Sequence, residues 1–132
     1  MRGIRLCGSG AAVPATRVSN VALSQRVETS DEWIRSRTGI GERRVAAAEE
    51  NLTGLATSAG QQALQNAGWA ASSVDLILLA TSSPDDLFGS APKVQAALGA
   101  KHAVAFDLTA ACSGFLFALA VSYTHLTLPT KA

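Results

Sequence analysis

Cys112 is the side chain with the clearest capacity for chemistry in this chain of 132 residues. It lies in the motif Ala110–Phe115, after an apolar strand-like run and before an apolar helix-like run. Backbone N–H groups at a helix start, and the positive end of the helix dipole, favour a thiolate over a thiol. The thiolate is the nucleophile, so this position predicts a reactive cysteine. Free cysteines are also common as small buried apolar residues, and the local sequence leaves that alternative open.

Arginine is concentrated in the first third of the chain and offers a second kind of chemistry. Eight of the eleven basic residues lie between Arg2 and Arg44. Four of them form a cluster, which consists of Arg35, Arg37, Arg43 and Arg44. Such a cluster is usually a solvated charged surface. It would also suit a phosphate-bearing ligand, because a guanidinium group binds phosphate through a bidentate fork.

The bulk composition excludes several classes of function. A net charge of +1 argues against a general nucleic-acid or membrane-surface binder. No apolar run reaches the length of a membrane span, and the N-terminus lacks the pattern of a secretory signal. Cys7 and Cys112 lie far apart and suggest no disulfide framework, which favours a reducing intracellular compartment. No metal site is predicted.

Alternating strands and helices predict an α/β fold that positions these residues. The nearly continuous apolar run Val74–Ala80 is typical of a strand buried on both faces, hence of a parallel or mixed sheet covered by helices. The other predicted strands are Ile4–Val13, Ala103–Leu108 and a short extended piece at Glu42–Ala46. The predicted helices are a short one starting at Ser19 or Asn20, one from Thr29 to Gly39, 51–66, Ala91–Leu98, and one starting at Cys112.

Three local signals refine this prediction. Thr29 precedes Glu32 by three residues, the spacing of a capping box, so Thr29 is the predicted N-cap of its helix. The run Gly8–Gly10 predicts a bulge or a close backbone approach. Thr81–Ser90 reads as a loop.

The last segment, residues 121–132, changes character. It is rich in Thr and departs from the helical spacing of Phe115–Ala120. It resembles the translation of a sequencing adapter, so we predict that residues 1–120 are the native segment and that 121–132 are an artefact. A genuine but divergent end is the alternative.

Several motifs, taken in order, resemble one family. They are Thr29–Ile34, Arg37–Ile40, Glu42-Arg43, Ala80–Ser82, Phe106-Asp107 and Ala110–Phe115. From about Met1 to Ala120 the chain is similar to the N-terminal part of the type III ketoacyl-acyl-carrier-protein synthases, thiolase-fold enzymes that start fatty-acid synthesis. The first and last blocks together are specific to this family. The resemblance covers less than half of a full-length member and implies an incomplete, N-terminal thiolase-like half.

The resemblance implies a two-step Claisen condensation. An acyl-CoA primer, typically acetyl-CoA, would acylate Cys112, whose backbone N–H would help to form the oxyanion hole. Malonyl-acyl-carrier protein would then lose carbon dioxide and attack the thioester. Acyl-CoA is thus a substrate, and no cofactor is implied. The other implied partner is a second subunit in a homodimer, and the implied compartment is the cytoplasm or the plastid stroma.

The resemblance also assigns binding residues. Trp33 would pack against the adenine of CoA, and Thr29, Arg37 and Thr38 would lie near its nucleotide and phosphates. Phe88 would stand at the dimer interface and wall the acyl pocket of the neighbouring subunit. The structural alternatives are a core aromatic for Trp33 and a plain interface or core residue for Phe88.

The chain also departs from the family. The histidine and asparagine that steer decarboxylation belong to the C-terminal half, and His125 does not match either position. We therefore predict that the segment alone is inactive. Two alternatives remain: a polyketide, quinolone or hydroxymethylglutaryl-CoA synthase of the same superfamily, or a non-catalytic nucleotide-binding α/β module in which Cys112 is inert.

Overall fold

The computed structural model describes the backbone of residues 4–127. Its elements are β1 (Thr16–Ser19), α1 (Asn20–Ser24), α2 (Asp31–Thr38), β2 (Glu42–Val45), α3 (Leu52–Ala67), β3 (Leu76–Ala80), α4 (Ala91–Leu98), β4 (Val104–Leu108) and α5 (Gly114–Thr127). Short 3-10 turns occupy Ala71–Ser73 and Ala111–Ser113. The chain forms two compact units: a small unit, Val13–Asn51, and a large unit, which comprises the segment up to Ala12 and everything from Leu52 onward.

The small unit is built on one antiparallel pair, in which Thr16 of β1 lies opposite Val45 of β2. The side chain of Asn20, at the start of α1, is buried beside this pair. Its amide nitrogen donates to Asp31 Oδ1 at 2.9 Å and to the Ile40 carbonyl at 2.7 Å. A buried amide must be hydrogen-bonded to be tolerated, so Asn20 fixes α1, the start of α2 and the turn before β2 together.

The large unit is built on one parallel pair, in which Leu76 of β3 lies opposite Val104 of β4 and Ala80 opposite Leu108. Among the described residues of this unit, the buried apolar side chains lie in α4 or shortly after it, and they are Ala91, Val94, Ala100 and Ala103. The Asp107 carboxylate on β4 accepts hydrogen bonds from the backbone N–H groups of Ser90, at 2.9 and 3.0 Å, and of Ala91, at 2.6 Å. The start of α4 is therefore tied directly to β4.

Most of the predicted elements are confirmed, and the class is α/β. Parallel and antiparallel pairs both occur, in two separate sheets. The helix over 51–66 is observed at Leu52–Ala67, and Ala91–Leu98 is observed as predicted. The predicted α2 ends at Gly39, which has a left-handed φ of 73°. Ser19, one of the two predicted caps of α1, accepts from the Ala22 N–H.

The predicted strand Ile4–Val13 is wrong, because no described residue from Ile4 to Val13 is in a strand. Residues 8–11 lie along α3 instead. A Cβ atom at Gly8 would meet the Ala63 carbonyl oxygen at 2.3 Å, and one at Gly10 the Ala59 carbonyl oxygen at 2.1 Å. The glycines therefore allow the close backbone approach that their spacing predicted, but against a helix.

Thr29 is not the N-cap of α2, so that prediction is also wrong. Ser30 holds the capping position in extended conformation, with φ −140° and ψ 160°, and its Oγ accepts from the Trp33 N–H at 3.1 Å. Thr29 lies one residue before the cap. A serine cap satisfies the same unpaired helical N–H group that a threonine would, so the sequence alone did not separate the two neighbours.

The last described helix, α5, runs through Thr127 and so crosses the predicted boundary at residue 120 without a break. No proline or glycine lies between Ala120 and Thr127 to end it. The boundary itself stays a prediction, and residues 128–132 lie outside the described part. Within residues 4–127, no helix is both long and apolar enough to cross a membrane.

Apolar side chains stand exposed on several sides of α5. Phe115 is 72% exposed, Leu116 65% and Phe117 56%. Successive helical residues are about 100° apart around the axis, so these three point in different directions. A helix that is apolar all round is typical of a protein interior, and here its surface is uncovered.

We expect the 132-residue chain, expressed alone, to be poorly soluble and self-associated. The exposed apolar surface of α5 would drive the association. Size-exclusion chromatography with light scattering would measure the state. Replacing Leu116 and Phe117 with Lys should raise the monomer fraction. A monomeric segment that melts cooperatively without these changes would contradict the prediction.

Candidate functional site

Cys112 lies in the 3-10 turn Ala111–Ser113, between the end of β4 and the start of α5. It is a free cysteine with an exposed side chain. The predicted strand–turn–helix position is thus confirmed, with the α-helix beginning two residues later, at Gly114. Among the described residues Cys112 is therefore not part of a buried core.

The residue before Cys112 has a strained backbone. Ala111 has φ +44°, and it is the one non-glycine residue with positive φ in the part of the chain that the structure describes. Such a conformation costs a residue with a Cβ atom roughly 1–3 kcal/mol and is concentrated at functional sites. The turn therefore presents Cys112 on a sharp reversal between strand and helix.

Gly114 explains how that reversal fits against the sheet. A Cβ atom at this buried position would meet the Cβ of Ala80 at 3.1 Å. Ala80 is the last residue of β3, so the first turn of α5 packs directly on the end of that strand. The glycine of the Cys112 motif thus has a packing role.

Trp33 borders a surface depression in the small unit, of about 280 Å³, which is lined by Glu28, Thr29, Ser30 and Trp33. The indole is 57% exposed, so the core alternative for Trp33 is excluded. The Thr29 hydroxyl is buried and makes no hydrogen bond to any described residue. The depression therefore has an open aromatic face, and a buried hydroxyl without a described protein partner belongs to one of its lining residues.

Arg37 and Thr38 lie at the C-terminal end of α2. Arg37 follows Trp33 by four residues and so shares its face of the helix. Its side chain is exposed, and no hydrogen bond or ion pair joins it to another residue in the described range. The Thr38 hydroxyl donates to the Ile34 carbonyl at 2.7 Å and accepts from the Ile40 N–H at 3.1 Å, so it also shapes the end of the helix.

The other three arginines of the predicted cluster make internal contacts. Arg35 donates to the Asp31 carboxylate at 2.9 Å, and Arg44 to the Pro14 carbonyl at 2.8 Å. Arg43 donates to the Asn20 Oδ1 atom at 3.3 Å. Three of the four guanidinium groups thus hold the small unit together. Arg37 is the member with no hydrogen bond or ion pair to another described residue.

Asn20 and Asp31 were missed as organising residues by the sequence analysis. The Asn20 amide, and next the Arg35 guanidinium, donate to the Asp31 carboxylate and lower the pKa of Asp31. A charged carboxylate is thus favoured at the start of α2, where the helix dipole also prefers a negative group. The one sequence signal was an acidic residue in the first turn, and nothing local pointed to a partner eleven residues earlier.

Phe88 lies at the tip of the loop Thr81–Ser90, in the large unit. Its side chain is 91% exposed, and that of its neighbour Leu87 is 92% exposed. The Phe88 N–H donates to Asp86 Oδ1 at 2.9 Å. Burial in the core of this unit is therefore excluded for Phe88. In the same described range, no three His, Cys, Asp or Glu side chains are grouped as metal ligands.

Comparison with known proteins finds relatives of this chain both by sequence and by structure. No family model matches the chain. A beta-ketoacyl-acyl-carrier-protein synthase III of Synechococcus sp. is 75% identical over 126 residues, covering 96% of this chain and 38% of the relative. The crystal structure of 3-oxoacyl-acyl-carrier-protein synthase III from Aquifex aeolicus matches with a TM-score of 0.90 at 45% identity, over 94% of this chain and 40% of that one. This chain belongs to the beta-ketoacyl-acyl-carrier-protein synthase III family.

The family match confirms the thiolase-like fold and the resemblance carried by the motifs. The chain spans less than two fifths of the length of the Synechococcus relative. The priming beta-ketosynthase of a polyketide biosynthetic pathway also matches, with a TM-score of 0.87 at 33% identity, over 91% of this chain and 36% of that one.

The strain at Ala111 yields a stability prediction for the complete synthase III that carries this segment. Ala111→Gly should preserve or raise the melting temperature, because glycine adopts the positive φ freely. Ala111→Val should lower stability by about 1–3 kcal/mol, since a β-branched residue is disfavoured there. Thermal unfolding by calorimetry measures both variants. Equal destabilisation by Gly and Val would contradict the assignment of strain.

Proposed function

We propose that the complete protein condenses an acyl-CoA primer with malonyl-acyl-carrier protein, and that Cys112 is its nucleophile. The Cys112 thiolate attacks the thioester carbonyl, the bond to the CoA sulfur breaks, and CoA leaves as the thiol after taking up a proton. The cysteine then carries the acyl group. The observation that carries this proposal is the exposed thiol on the strained turn between β4 and α5, in a chain of this family.

The second half-reaction regenerates the enzyme. Malonyl-acyl-carrier protein loses carbon dioxide, and the resulting carbanion attacks the carbonyl of the acylated Cys112. The carbon–sulfur bond breaks, the cysteine leaves as thiolate, and the product is a ketoacyl chain on the carrier protein. The Cys112 backbone N–H is proposed as one oxyanion donor. The histidine and asparagine of this step would lie in the part of the protein beyond this segment, so the segment alone is inactive.

We further propose that the Trp33 depression receives the nucleotide of CoA. The open indole face suits stacking on adenine, which is worth about 1–3 kcal/mol per base. The unpaired Thr29 hydroxyl supplies a hydrogen-bonding group, and the free Arg37 guanidinium suits a phosphate. Thr38 is proposed to contribute mainly by fixing the end of α2.

The proposed partners are acyl-CoA, malonyl-acyl-carrier protein and a second subunit. The exposed Phe88 at its loop tip is proposed to reach the neighbouring subunit of a homodimer and wall its acyl pocket. No cofactor is required, because CoA enters as part of the substrate. No role with nucleic acid or membrane is proposed. The bacterial origin of the relatives supports a cytoplasmic protein.

A polyketide-type synthase is the second candidate function. The match to the priming beta-ketosynthase favours it at the level of fold and of 33% identity. The relatives that share 73–75% identity are named beta-ketoacyl-acyl-carrier-protein synthase III, and they favour fatty-acid priming. A panel of acyl-CoA primers and carrier proteins, tested on the complete protein, separates the two.

Acylation at Cys112 tests the central proposal. The complete protein, incubated with acetyl-CoA, should gain the mass of one acetyl group on the peptide containing Cys112. Cys112→Ser should lose this rapid labelling, whereas Cys7→Ser, the matched control, should retain it. Absence of any adduct on Cys112 would favour the remaining alternative, a nucleotide-binding module with an inert cysteine.

Substitution of Trp33 tests the CoA assignment. In the complete protein, Trp33→Ala should raise the KM for acyl-CoA by about tenfold to a hundredfold, as expected for loss of one stacking contact. Trp69→Ala removes an indole of similar exposure from the other unit and serves as the control. Steady-state kinetics at saturating malonyl-acyl-carrier protein measures both. Equal KM values for the two variants would contradict the assignment.

A further inference from the structure

The loop Thr81–Ser90 has a firmly held base and a projecting tip. Leu87 and Phe88 at the tip are 92% and 91% exposed, the largest exposures among the big apolar side chains of the described residues. Such an apolar tip gains stability only against another surface. The contacts at the base of the loop fix the direction of the tip before that surface is present.

Asp85 ties the loop to the start of α3. Its Oδ1 atom accepts from the Leu52 N–H at 3.0 Å, and its Oδ2 atom accepts from the Thr53 N–H at 2.8 Å and from the Thr53 hydroxyl. The first N–H groups of a helix have no partner within the helix, and a carboxylate satisfies them while meeting the positive end of the dipole. The Thr53 hydroxyl is the largest influence that lowers the pKa of Asp85, so the carboxylate is charged at neutral pH.

The other end of the loop is tied to α4 and β4. The fully buried Ser90 accepts at its Oγ from the Asp85 N–H, at 2.8 Å, and donates its own N–H to Asp107. Asp86 pairs with Lys93 of α4 and accepts from the Phe88 N–H. A chain of hydrogen bonds therefore runs from Thr53 through Asp85 and Ser90 to Asp107.

We propose that Asp85 is a positioning residue that holds Phe88 in the conformation that docks on the neighbouring subunit and limits the length of the acyl primer there. The proposal rests on the function proposed above for Phe88. Asp85 acts at a distance from the primer: it fixes the middle of the loop, three residues before Phe88 at the tip. Loss of the carboxylate would let the tip take many conformations, so that the acyl pocket would lose a defined wall.

The substitution Asp85→Asn removes this anchor with little change in volume. Asparagine keeps one acceptor oxygen and places an NH2 donor where the second oxygen met the Thr53 donors. Asp75→Asn is the matched control, because Asp75 is an exposed aspartate of the same unit for which no side-chain hydrogen bond or ion pair is described. Thr53→Val is a milder second variant, since it removes only the hydroxyl that donates a hydrogen bond to Asp85.

The experiment uses the complete synthase III that contains this segment. For wild type, Asp85→Asn, Asp75→Asn, Thr53→Val, Phe88→Ala and the Asp85→Asn/Phe88→Ala double variant, kcat/KM is measured with a short and a long straight-chain acyl-CoA. Hydrogen exchange of peptides covering residues 83–90 reports the order of the loop independently of activity.

We expect Asp85→Asn to shift the long-to-short ratio of kcat/KM by roughly threefold to tenfold, the scale of one or two lost hydrogen bonds, and to speed exchange over residues 83–90. Thr53→Val should shift both readouts in the same direction by less, and Asp75→Asn should change neither. The double variant should match Phe88→Ala, because Asp85 acts through Phe88.

Three results overturn the inference and are distinguishable. If Phe88→Ala shifts the primer ratio while Asp85→Asn leaves both the ratio and the exchange unchanged, Phe88 keeps its proposed role and Asp85 does not position it. If Phe88→Ala leaves the primer ratio unchanged, the proposed role of Phe88 fails and the inference fails with it. Additive effects in the double variant would show that Asp85 acts by another route.

Discussion

The Asp107 carboxylate is the interaction on which the large unit depends. It accepts hydrogen bonds from the N–H groups of Ser90 and Ala91 and so joins the start of α4 to the strand beneath it. The strand that bears Asp107 continues directly into the Cys112 turn. Through Ser90 the same carboxylate reaches Asp85 and the Phe88 loop. One attachment thus supports both the Cys112 turn and the apolar tip of the Phe88 loop. Gly89 belongs to it too, because its φ is +91° and a Cβ atom there would meet the carboxylate at 3.1 Å.

In the small unit, a buried side-chain amide plays the part that the Asp107 carboxylate plays in the large unit. Asn20 is buried at the start of α1, and its side-chain amide joins that helix to the start of α2 and to the turn before β2. Arg35, Arg43 and Arg44 make hydrogen bonds within the same unit. Arg37 is left as the exposed cation on the face of α2 that carries Trp33. Arg37 is therefore the one arginine of the cluster whose guanidinium group has no partner among the described residues. The other three already donate to backbone and side-chain oxygens.

The sequence predicted the features that depend on residues close together along the chain. Glycines ended α2 and α4 in left-handed conformations, and an apolar run marked β3. The family motifs located Cys112, Trp33 and Phe88, all of which are exposed. The errors have physical causes. Ile4–Val13 has the alternation of a strand, but α3 takes the place of a partner strand. The roles of Asn20, Asp85 and Asp107 depend on partners 11, 33 and 17 residues away, which no local pattern encodes. The strain at Ala111 is invisible in the residue type.

The uncovered surface of α5 has a consequence for how a synthase III is made. In a chain as long as the Synechococcus relative, this helix has been synthesised when less than two fifths of the protein exists. At about 5–20 residues per second, translation of the remainder takes many seconds, far longer than a helix needs to form. Throughout that interval the phenylalanine and leucine side chains of α5 face solvent with nothing to cover them. The time for which the growing chain is prone to aggregate is therefore set by the synthesis of the residues that follow α5.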